Sequence, residues 1–262
     1  MQVISLTTDR KSGDFFIGRV KGEILKSCPS AAVVDLAHDI PTFDISYAAF
    51  TIKHSRKNFP EGSIHLIGVD CEEGPKQRHI VVHAHNQYFI CADTGIIYLI
   101  FAKEEITNIY EPIEPNPADQ PAMIRFVHLA KEISQNKDLN SFLKPVEKTK
   151  LKLGTSPMYD DSLIIGKIIY VDSYDNAICN ISKELFDDVG QGRRVKIYAG
   201  SSSNIIRGIS KTHLDKQHGE IVALFNSLNL LEISINKGKL MSLLGLKLYN
   251  DIRIEFYDNP NS

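Results

Sequence analysis

In the first half of the chain, strand-length apolar runs alternate with segments of helical periodicity. Residues 14–27 are typical of a helix, because Phe16, Ile17, Val20 and Ile24 fall roughly on one face. The same patterns predict strands at residues 2–8, 32–36, 63–69, 79–85 and 88–91, helices at 46–59 and 122–134, and a further core segment at 96–101.

The second half of the chain shows a different pattern, with short β-like runs punctuated by glycine and asparagine. This pattern is typical of a small antiparallel sheet or barrel. The runs lie at residues 162–171, 176–181, 194–198, 220–225, 230–235 and 251–256, and a single helix is predicted at 239–244.

Between the two halves, residues 136–158 lose any clear core period and accumulate Lys, Asp, Pro and Ser, which indicates a domain boundary. A chain of 262 residues accommodates two ordinary domains. We therefore predict an α/β domain at residues 1–150, with a doubly wound, mostly parallel sheet and helices, and a smaller antiparallel β domain at residues 159–262.

Composition excludes several classes of protein. The net charge of −2 lacks the basic bias of most nucleic-acid-binding proteins. No apolar run approaches the roughly 20 residues of a membrane span, and the first residues lack the basic and apolar regions of a signal peptide. The four cysteines form no Cys-x-x-Cys pair, which suits a reducing compartment. We expect a cytoplasmic protein that binds neither nucleic acid nor membranes.

The first strand ends without a phosphate-binding loop. Neither G-x-G-x-x-G nor G-x-x-x-x-G-K-[ST] occurs, so pyrophosphate or triphosphate binding is not indicated. Asp9 instead follows the strand, at the carboxyl edge where such sheets bind ligands. Its two oxygens can accept hydrogen bonds side by side from a ribose cis-diol, so Asp9 suits a nucleoside without phosphates. An exposed loop aspartate or a helix N-cap is the alternative.

Other ionisable residues follow neighbouring strands. Asp39, Asp70 and Asp93 repeat the position of Asp9 at other strand ends, so several carboxylates converge on one sheet edge unless backbone amides satisfy them in loops. His83 and His85 share one strand face, but no third ligand is spaced to join them in a metal site. An exposed strand face is the preferred interpretation, and we predict no metal.

A set of short motifs, in order along nearly the whole chain, resembles the S-adenosylmethionine hydroxide adenosyltransferases, relatives of the bacterial fluorinating and chlorinating enzymes. No single motif is decisive, but the ordered set is specific. The matching segments are Thr8-Asp9, Gly13-Asp14, Gly18, Lys21-Gly22, 34–41 (VDLAHDIP), 59–65 (FPEGSIH), 69–70 (VD), 92–95 (ADTG), 171–181 (VDSYDNAICNI), 219–220 (GE), 226–227 (NS) and 231–234 (LEIS).

The resemblance implies the same two-domain order and a homotrimer, with each site between the first domain of one subunit and the second domain of the next. It implies S-adenosylmethionine or adenosine as the ligand and no separate cofactor. Asp9 would then hold the ribose hydroxyls, and Phe43 would pack on the nucleoside. From the second domain, the resemblance implies substrate-binding roles for Asp172, Tyr174, Asn176, Ser227 and Glu232.

The family reaction, as the resemblance implies it, is an in-line displacement in which water or hydroxide attacks ribose C5′ and methionine leaves. An Asp, an Arg and a His place and activate the water. Here Asp70 fills the Asp position, the Arg position falls on Gln77 with Arg78 one residue on, and the His position falls on Pro117. We take Asp70 and Arg78 as the candidate catalytic residues.

The hypothesis is therefore a hydrolase that converts S-adenosylmethionine to adenosine and L-methionine. One alternative is a catalytically impaired binding protein that keeps the nucleoside pocket. Another is an adenosyl transferase with a different nucleophile; a halide is disfavoured because Glu72 and Glu73 follow the Asp70 position and would repel an anion.

Overall fold

The computed structural model describes residues 2–71, 77–115, 120–135, 137–200 and 204–258. Glu72, Glu73 and Pro117, which entered the sequence predictions, lie outside these ranges. The chain divides into two compact units, residues 1–154 and 155–262. None of the helices in the described ranges combines the length and apolar composition that a membrane span requires.

The first unit is built on a seven-stranded sheet in the order β2-β1-β3-β5-β4-β6-β7. The pairings among β2, β1, β3 and β5 are parallel, whereas β4, β6 and β7 pair antiparallel. The α/β prediction is confirmed, with a sheet that is mixed rather than mostly parallel. The strands are β1 (Val3–Thr8), β2 (Ala32–Ala37), β3 (Ile64–Gly68), β4 (His79–Ala84), β5 (Gln87–Ala92), β6 (Ile106–Pro112) and β7 (Leu143–Pro145).

Helices cover both faces of this sheet, which explains why its central strands are apolar runs rather than alternating ones. Leu66 packs with Phe126 on one face, whereas the next residue, Ile67, packs with Ile52 on the other. The first face is covered by α1 and α4, and the second by α2 and α3. The helices are α1 (Phe15–Ser27), α2 (Ile45–Ser55), α3 (Ile97–Ile100) and α4 (Ala122–Ser134).

The parallel strands bring their carboxyl ends to one edge of the sheet. Thr8, the last residue of β1, pairs with Gly68, the last residue of β3. Ile67 pairs in turn with Cys91 near the end of β5. The loops that follow these strands therefore start side by side, which is the arrangement that positions the candidate site.

The second unit is an antiparallel sheet in the order β12-β11-β15-β9-β10-β14-β13, with β8 paired to β9. Ser210 N–H, just after β12, donates to Ala223 O in β13, so the two edges approach each other. The predicted antiparallel β domain is confirmed. Its elements are β8 (Met158–Tyr159), β9 (Leu163–Val171), β10 (Ala177–Ser182), α5 (Lys183–Gly190), β11 (Arg194–Ala199), β12 (Ile205–Arg207), β13 (Ile221–Phe225), β14 (Leu230–Ile235), α6 (Leu240–Leu244) and β15 (Asp251–Tyr257).

Candidate functional site

Asp9 joins three loops at the carboxyl edge of the first sheet. Its Oδ2 accepts hydrogen bonds from the backbone N–H of Phe43, at 3.1 Å, and of Asp70, at 3.3 Å. Phe43 belongs to the loop after β2, and Asp70 to the loop after β3. Within the described part of the chain, Oδ1 makes no such hydrogen bond. Oδ2 of Asp9 therefore has a structural role, and Oδ1 is available to a ligand. The sequence-based prediction had assigned both oxygens to the ligand.

The backbone around Asp9 adopts an unusual conformation at three non-glycine residues. Asp39, Phe43 and Asp70 have φ values of 60°, 63° and 50°, in the left-handed region that such residues rarely adopt. Strain of this kind persists only where surrounding contacts over-determine the conformation, and it concentrates at ligand sites. Two of these three residues donate the N–H groups that Asp9 accepts, so the carboxylate helps to hold the conformation.

A pocket of about 270 Å³ opens beside Asp9. Phe43 stands at its wall with 65% of its surface exposed, so an apolar ring is available for contact. The volume is near the lower end of the ~300–1,000 Å³ range for small-molecule pockets, which suits a ligand of nucleoside size or part of a larger one. The lining residues are Asp9, Arg10, Phe16, Thr42, Phe43, Gly68, Cys71, Ala122 and Met123.

Several pocket residues were not foreseen. Arg10 stacks on the Phe16 ring at 4.3 Å and lies 3.6 Å from Asp14. Met123 belongs to α4, a helix that is distant in sequence, and its side chain packs against Gly68, which also lines the pocket. Arg10 is adjacent to Asp9 and could have been suggested from that position alone. No local pattern marks Met123, because its role depends on helix packing.

Asp70 follows β3 directly, as predicted. Its carbonyl accepts a hydrogen bond of 2.9 Å from Gln77 Nε2. Gln77, to which the resemblance assigns the family's Arg position, is therefore held to Asp70. The structure places Asp70 next to Asp9 by a direct backbone contact, and the predicted role of its carboxylate in orienting water stays a prediction.

The Arg78 side chain contacts β6 and the segment around Lys148. Its Nε donates to Glu111 Oε2 at 2.6 Å, and its Nη1 donates to Lys148 O at 2.7 Å and lies 3.5 Å from Asp93 Oδ2. Burial alone would raise the pKa of Glu111, but hydrogen bonds from Lys144 and Arg78 lower it on balance.

Arg78 therefore holds the segment around Lys148 against β6, a strand that the sequence did not predict. It is not among the described residues that line the pocket of Asp9. Asp93, which is buried, accepts a second bond from Lys150 N–H at 3.0 Å and belongs to the same structural group. The catalytic role predicted for Arg78 has no geometric support here and stays a prediction.

In the second unit, three predicted residues share the turn between β9 and β10. Asp172 Oδ1 accepts from the N–H groups of Tyr174 and Asn176, both at 2.9 Å, and its Oδ2 accepts from Asn176 Nδ2 at 3.0 Å. Asn176 is buried, whereas Tyr174 is 75% exposed. Asp172 and Asn176 thus build a turn that presents the Tyr174 ring.

Ser227 lies apart from this turn, whereas Glu232 pairs with Ile178, two residues beyond Asn176. The turn containing Ser227 is at the Ser182 end of β10, because Leu230 pairs with Ser182, whereas Asn176 is at the opposite end. Glu232 is buried in the middle of β14, and its Oε1 lies 3.0 Å from His213 Nε2.

Within one chain, Ser227 is therefore separated from the other predicted second-domain residues. Sequence reasoning treated them as one set because the family motifs carried them together, and motif order does not report which end of a strand a residue occupies. Among the described residues, no group of three or more His, Cys, Asp or Glu side chains is placed to hold a metal ion.

Comparison with known proteins matches both units. Residues 4–142 match the family described as "SAM hydroxide adenosyltransferase N-terminal domain", and residues 166–253 match "SAM hydroxide adenosyltransferase C-terminal domain". A Methanocaldococcus jannaschii protein named "(R)-S-adenosyl-L-methionine hydrolase" is 25% identical, with 97% of this chain and 96% of that protein covered. A Thermus thermophilus protein of the same name is also 25% identical, with 97% and 100% covered.

Solved structures show the same fold over the full chain. A crystal structure of a conserved protein from Thermotoga maritima has a TM-score of 0.82 and 23% sequence identity, covering 97% of this chain and 99% of that one. The crystal structure of a conserved protein from Thermus thermophilus has a TM-score of 0.72 and 22% identity, covering 98% and 100%. At these sequence identities, the solved structures support the fold and no statement about function.

Proposed function

The chain belongs to the SAM hydroxide adenosyltransferase family, which both of its units match, and on that premise we propose that it hydrolyses S-adenosyl-L-methionine to adenosine and L-methionine. The names of its full-length relatives support the same activity. The observation that carries the proposal is the pocket in which an oxygen of Asp9 and the ring of Phe43 face the same space.

The proposed chemistry is a displacement at ribose C5′. A bond forms between C5′ and a water or hydroxide oxygen, the C5′–S bond breaks, and its electron pair neutralises the sulfonium. Methionine leaves as a neutral thioether, so no acid has to protonate the leaving group. A water nucleophile releases its proton to a carboxylate or to solvent. Catalysis then depends on placing the nucleophile in line with the C5′–S bond.

The residues near the pocket have separate proposed roles. The free oxygen of Asp9 accepts from the ribose hydroxyls, and Phe43 packs on the nucleoside. Asp70, which follows the neighbouring strand, orients the attacking water. This division fits the geometry, because the Asp70 N–H is hydrogen-bonded to Asp9 and the two residues occupy adjacent strand ends.

Chromatographic detection of the two products tests the proposal. Purified protein incubated with S-adenosyl-L-methionine should release adenosine and methionine in equal amounts, and Asp70→Asn should reduce the rate strongly while leaving adenosine affinity nearly unchanged. An amide cannot take a proton from water as a carboxylate can. Absence of both products under all conditions, in a protein that is folded, would exclude hydrolysis.

A binding protein without turnover is the second candidate, and one observation favours it. Gln77 bonds the Asp70 carbonyl and Arg78 is engaged by Glu111, so neither residue at or beside the family's Arg position brings a cation to the described pocket. In that case titration would give adenosine or S-adenosylmethionine binding with no product. Release of methionine together with an adenosyl adduct of an added nucleophile, in place of adenosine, would instead indicate a transferase.

We also propose a homotrimer in which the Tyr174 turn of one subunit completes the Asp9 pocket of another. A site shared between different surfaces requires a heterologous contact, and such a contact gives a ring where its rotation closes, as it would in a trimer. Mixing Asp9→Ala and Tyr174→Ala subunits after mild dissociation should restore part of the lost ligand binding, because some pockets regain both residues. A monomer mass by light scattering at micromolar concentration would contradict the proposal.

The cellular location belongs with these proposals. All four cysteines lie in the described residues and carry thiols, three of them buried. Burial raises the pKa of the Cys91 and Cys179 thiols well above the usual range, so both stay protonated and unreactive. Thiols kept in this form are compatible with the reducing cytoplasm, where we propose that the protein resides.

A further inference from the structure

One buried imidazole links the strand that carries Asp9 to the loop that carries Phe43. The side chain of His38, two residues beyond Leu36 of β2, is only 4% exposed. Its Nδ1 lies 2.8 Å from the hydroxyl oxygen of Thr8, the residue before Asp9. Its buried Nε2 lies 3.2 Å from Asp35 Oδ1, which is an electrostatic contact rather than a well-aligned hydrogen bond.

The contacts of His38 continue to the first helix. Asp35 Oδ2 accepts from Lys21 Nζ of α1 at 2.6 Å. Burial alone would raise the pKa of Asp35, but the hydrogen bond from Lys21 and the contact with His38 lower it on balance, so the carboxylate stays charged. A polar chain therefore runs from α1 through β2 and His38 to the last residue of β1.

The loop after His38 is held to the end of β1 by backbone bonds as well. Asp39 N–H donates to Arg10 O at 2.9 Å, and Ile40 N–H donates to Thr8 O at 3.3 Å. This loop then delivers Phe43 N–H to Asp9 Oδ2. Because Asp39 and Phe43 both have left-handed backbone conformations, the loop needs contacts that prevent it from relaxing.

We propose that His38 is a positioning residue for the nucleoside pocket, which fixes the Asp9 carboxylate against the Phe43 loop by bridging Thr8 and Asp35. The inference rests on the proposed function for the identity of the ligand. It does not rest on turnover, because adenosine binding and the geometry of Phe43 report on it directly. His38 does not touch the ligand in this scheme and acts through Thr8 and the loop.

The test compares four variants of the full chain by calorimetric titration with adenosine. His38→Ala should weaken binding by about tenfold, the effect expected for roughly one lost hydrogen bond. His38→Asn should recover most of the affinity, because its amide group can donate to or accept from the Thr8 hydroxyl in place of Nδ1. Thr8→Val should reproduce the His38→Ala loss, and the double variant His38→Ala/Thr8→Val should be no weaker than either alone, since one contact is lost in each.

Ser63→Ala is the matched control for a purely structural effect. Ser63 is buried at the opposite edge of the same sheet, where its hydroxyl donates to Pro60 O at 2.6 Å. This variant should lower the Tm and leave adenosine affinity unchanged. If turnover is observed, His38→Ala should raise KM more than it lowers kcat. Unchanged adenosine affinity in His38→Ala, or a loss that His38→Asn does not restore, would overturn the inference.

A second readout separates this inference from the proposed function. The sequence contains no tryptophan, so Phe43→Trp provides a single fluorophore at the pocket wall. In that background His38→Ala should lower the anisotropy of the tryptophan fluorescence and increase its quenching by acrylamide, without any ligand. If the unsubstituted protein binds no adenosine and releases none, the proposed function fails, and the fluorescence result alone then tests the role of His38. Identical tryptophan anisotropy in Phe43→Trp and in Phe43→Trp/His38→Ala would refute that role.

Discussion

The two units differ in what they bury. The first unit buries ionisable side chains both on its strands, as with His65 and His79, and on the helices that cover them, as with Arg125. In the described part of the second unit, Glu232 is the one Asp, Glu, His, Lys or Arg side chain that is buried to this degree. A sheet covered on both faces by helices has no solvent-facing side, so polar residues on its strands are buried. The second unit instead carries its polar candidates on turns, as with Tyr174.

This difference separates two ways of building a site. In the first unit, Asp9 is held by backbone groups 34 and 61 residues away in sequence, so its geometry depends on the whole sheet. In the second unit, the described hydrogen bonds of Asp172 reach only residues within four positions. Asp175 adds one long-range contact by accepting from Ser242 N–H, so the Tyr174 turn is mostly a local structure. Changes to the first sheet should therefore reach the pocket, while changes to the second should stay local.

The largest expected difference between the units is in their response to acid. Burial lowers the pKa of His65 to about 4, and burial with the nearby Arg125 lowers that of His79 to about 4. Below pH 6.5 the unfolded chain binds protons that the folded chain does not, so stability is lost as pH falls from about 6.5 to about 4. Each histidine contributes about 3 kcal/mol over this window. Calorimetry from pH 7 to pH 4.5 should show the first unit melting at a progressively lower temperature than the second.

Two substitutions sharpen this experiment. His79 packs edge-on against Phe126 at 4.9 Å, and neither of its ring nitrogens has a hydrogen-bond partner in the described structure. His79→Leu removes the titrating group and two unsatisfied atoms, so it should remove about half of the acid sensitivity. His218→Asn, at an exposed position in the second unit, should change nothing. Equal acid sensitivity in both units would contradict the comparison.

The same contrast explains how much of the fold the sequence could predict. Buried parallel strands read as apolar runs, so β1, β3 and β5 and the helix α4 were located within a residue or two. β6 was missed because its sequence, ITNIYEP, is half polar and has no clean alternation. α5 was missed because its eight residues are short and polar, although Ser182 caps its Leu185 N–H at 3.1 Å. Residues 96–101 are apolar throughout, so their sequence does not distinguish a strand from a helix. Their packing in the folded chain determines that they form the short helix α3.

The candidate site could be predicted only in part, for a related reason. Strand ends are visible in the sequence, so the hydrophobic pattern alone brings Asp9 and Asp70 to one sheet edge. The partners of Arg78 could not be predicted, because they belong to β6 and to the segment after β7, neither of which the sequence revealed. The sequence also does not show how far apart two residues lie along the second sheet. For this reason the prediction grouped Ser227 with Asn176.

Two glycines test whether changes spread or stay local. A Cβ at Gly166, in β9, would overlap the Ile181 side chain and come within 2.7 Å of Asn180 Oδ1. Gly166→Ala should cost about 2–3 kcal/mol, since a β-branched core residue cannot yield easily. A Cβ at Gly68 would overlap Met123 Sδ, but an unbranched thioether side chain can move away, so Gly68→Ala should cost about 1 kcal/mol.

The ligand measurement on these two variants is the informative part. Gly68 and Met123 both line the pocket, so Gly68→Ala should weaken adenosine binding despite its smaller effect on stability. Gly166→Ala should leave adenosine affinity intact at a temperature where it remains folded. Denaturant unfolding and calorimetric titration on the same samples provide both values, and the reverse ranking of affinities would refute the site assignment.

The two structural aspartates give the next smaller effect. Asp9→Ala leaves two backbone N–H groups without their acceptor, so the free energy of unfolding should fall by about 1–3 kcal/mol as adenosine binding weakens by a similar amount. Asp9→Asn keeps an oxygen acceptor and should lose less stability than Asp9→Ala. Asp172→Ala should lose less global stability and should instead speed amide exchange at Tyr174 and Asn176. Full stability in Asp9→Ala would show that the contacts to Phe43 and Asp70 are weak.

The smallest effect on stability is expected for Tyr174→Ala. The ring is 75% exposed and the turn beneath it is held by Asp172 and Asn176, so the free energy of unfolding should change by about 0.5 kcal/mol or less. An exposed aromatic ring on an ordered turn is nevertheless well suited to contact a ligand, because a tyrosine has only two χ angles to immobilise on binding. Tyr174→Ala should therefore weaken adenosine binding several-fold while the Tm stays constant, and Tyr174→Phe should restore the affinity if the ring packs on the ligand. Equal affinity in all three proteins would place the ligand entirely on the first unit and remove the reason for a neighbouring subunit to complete the pocket.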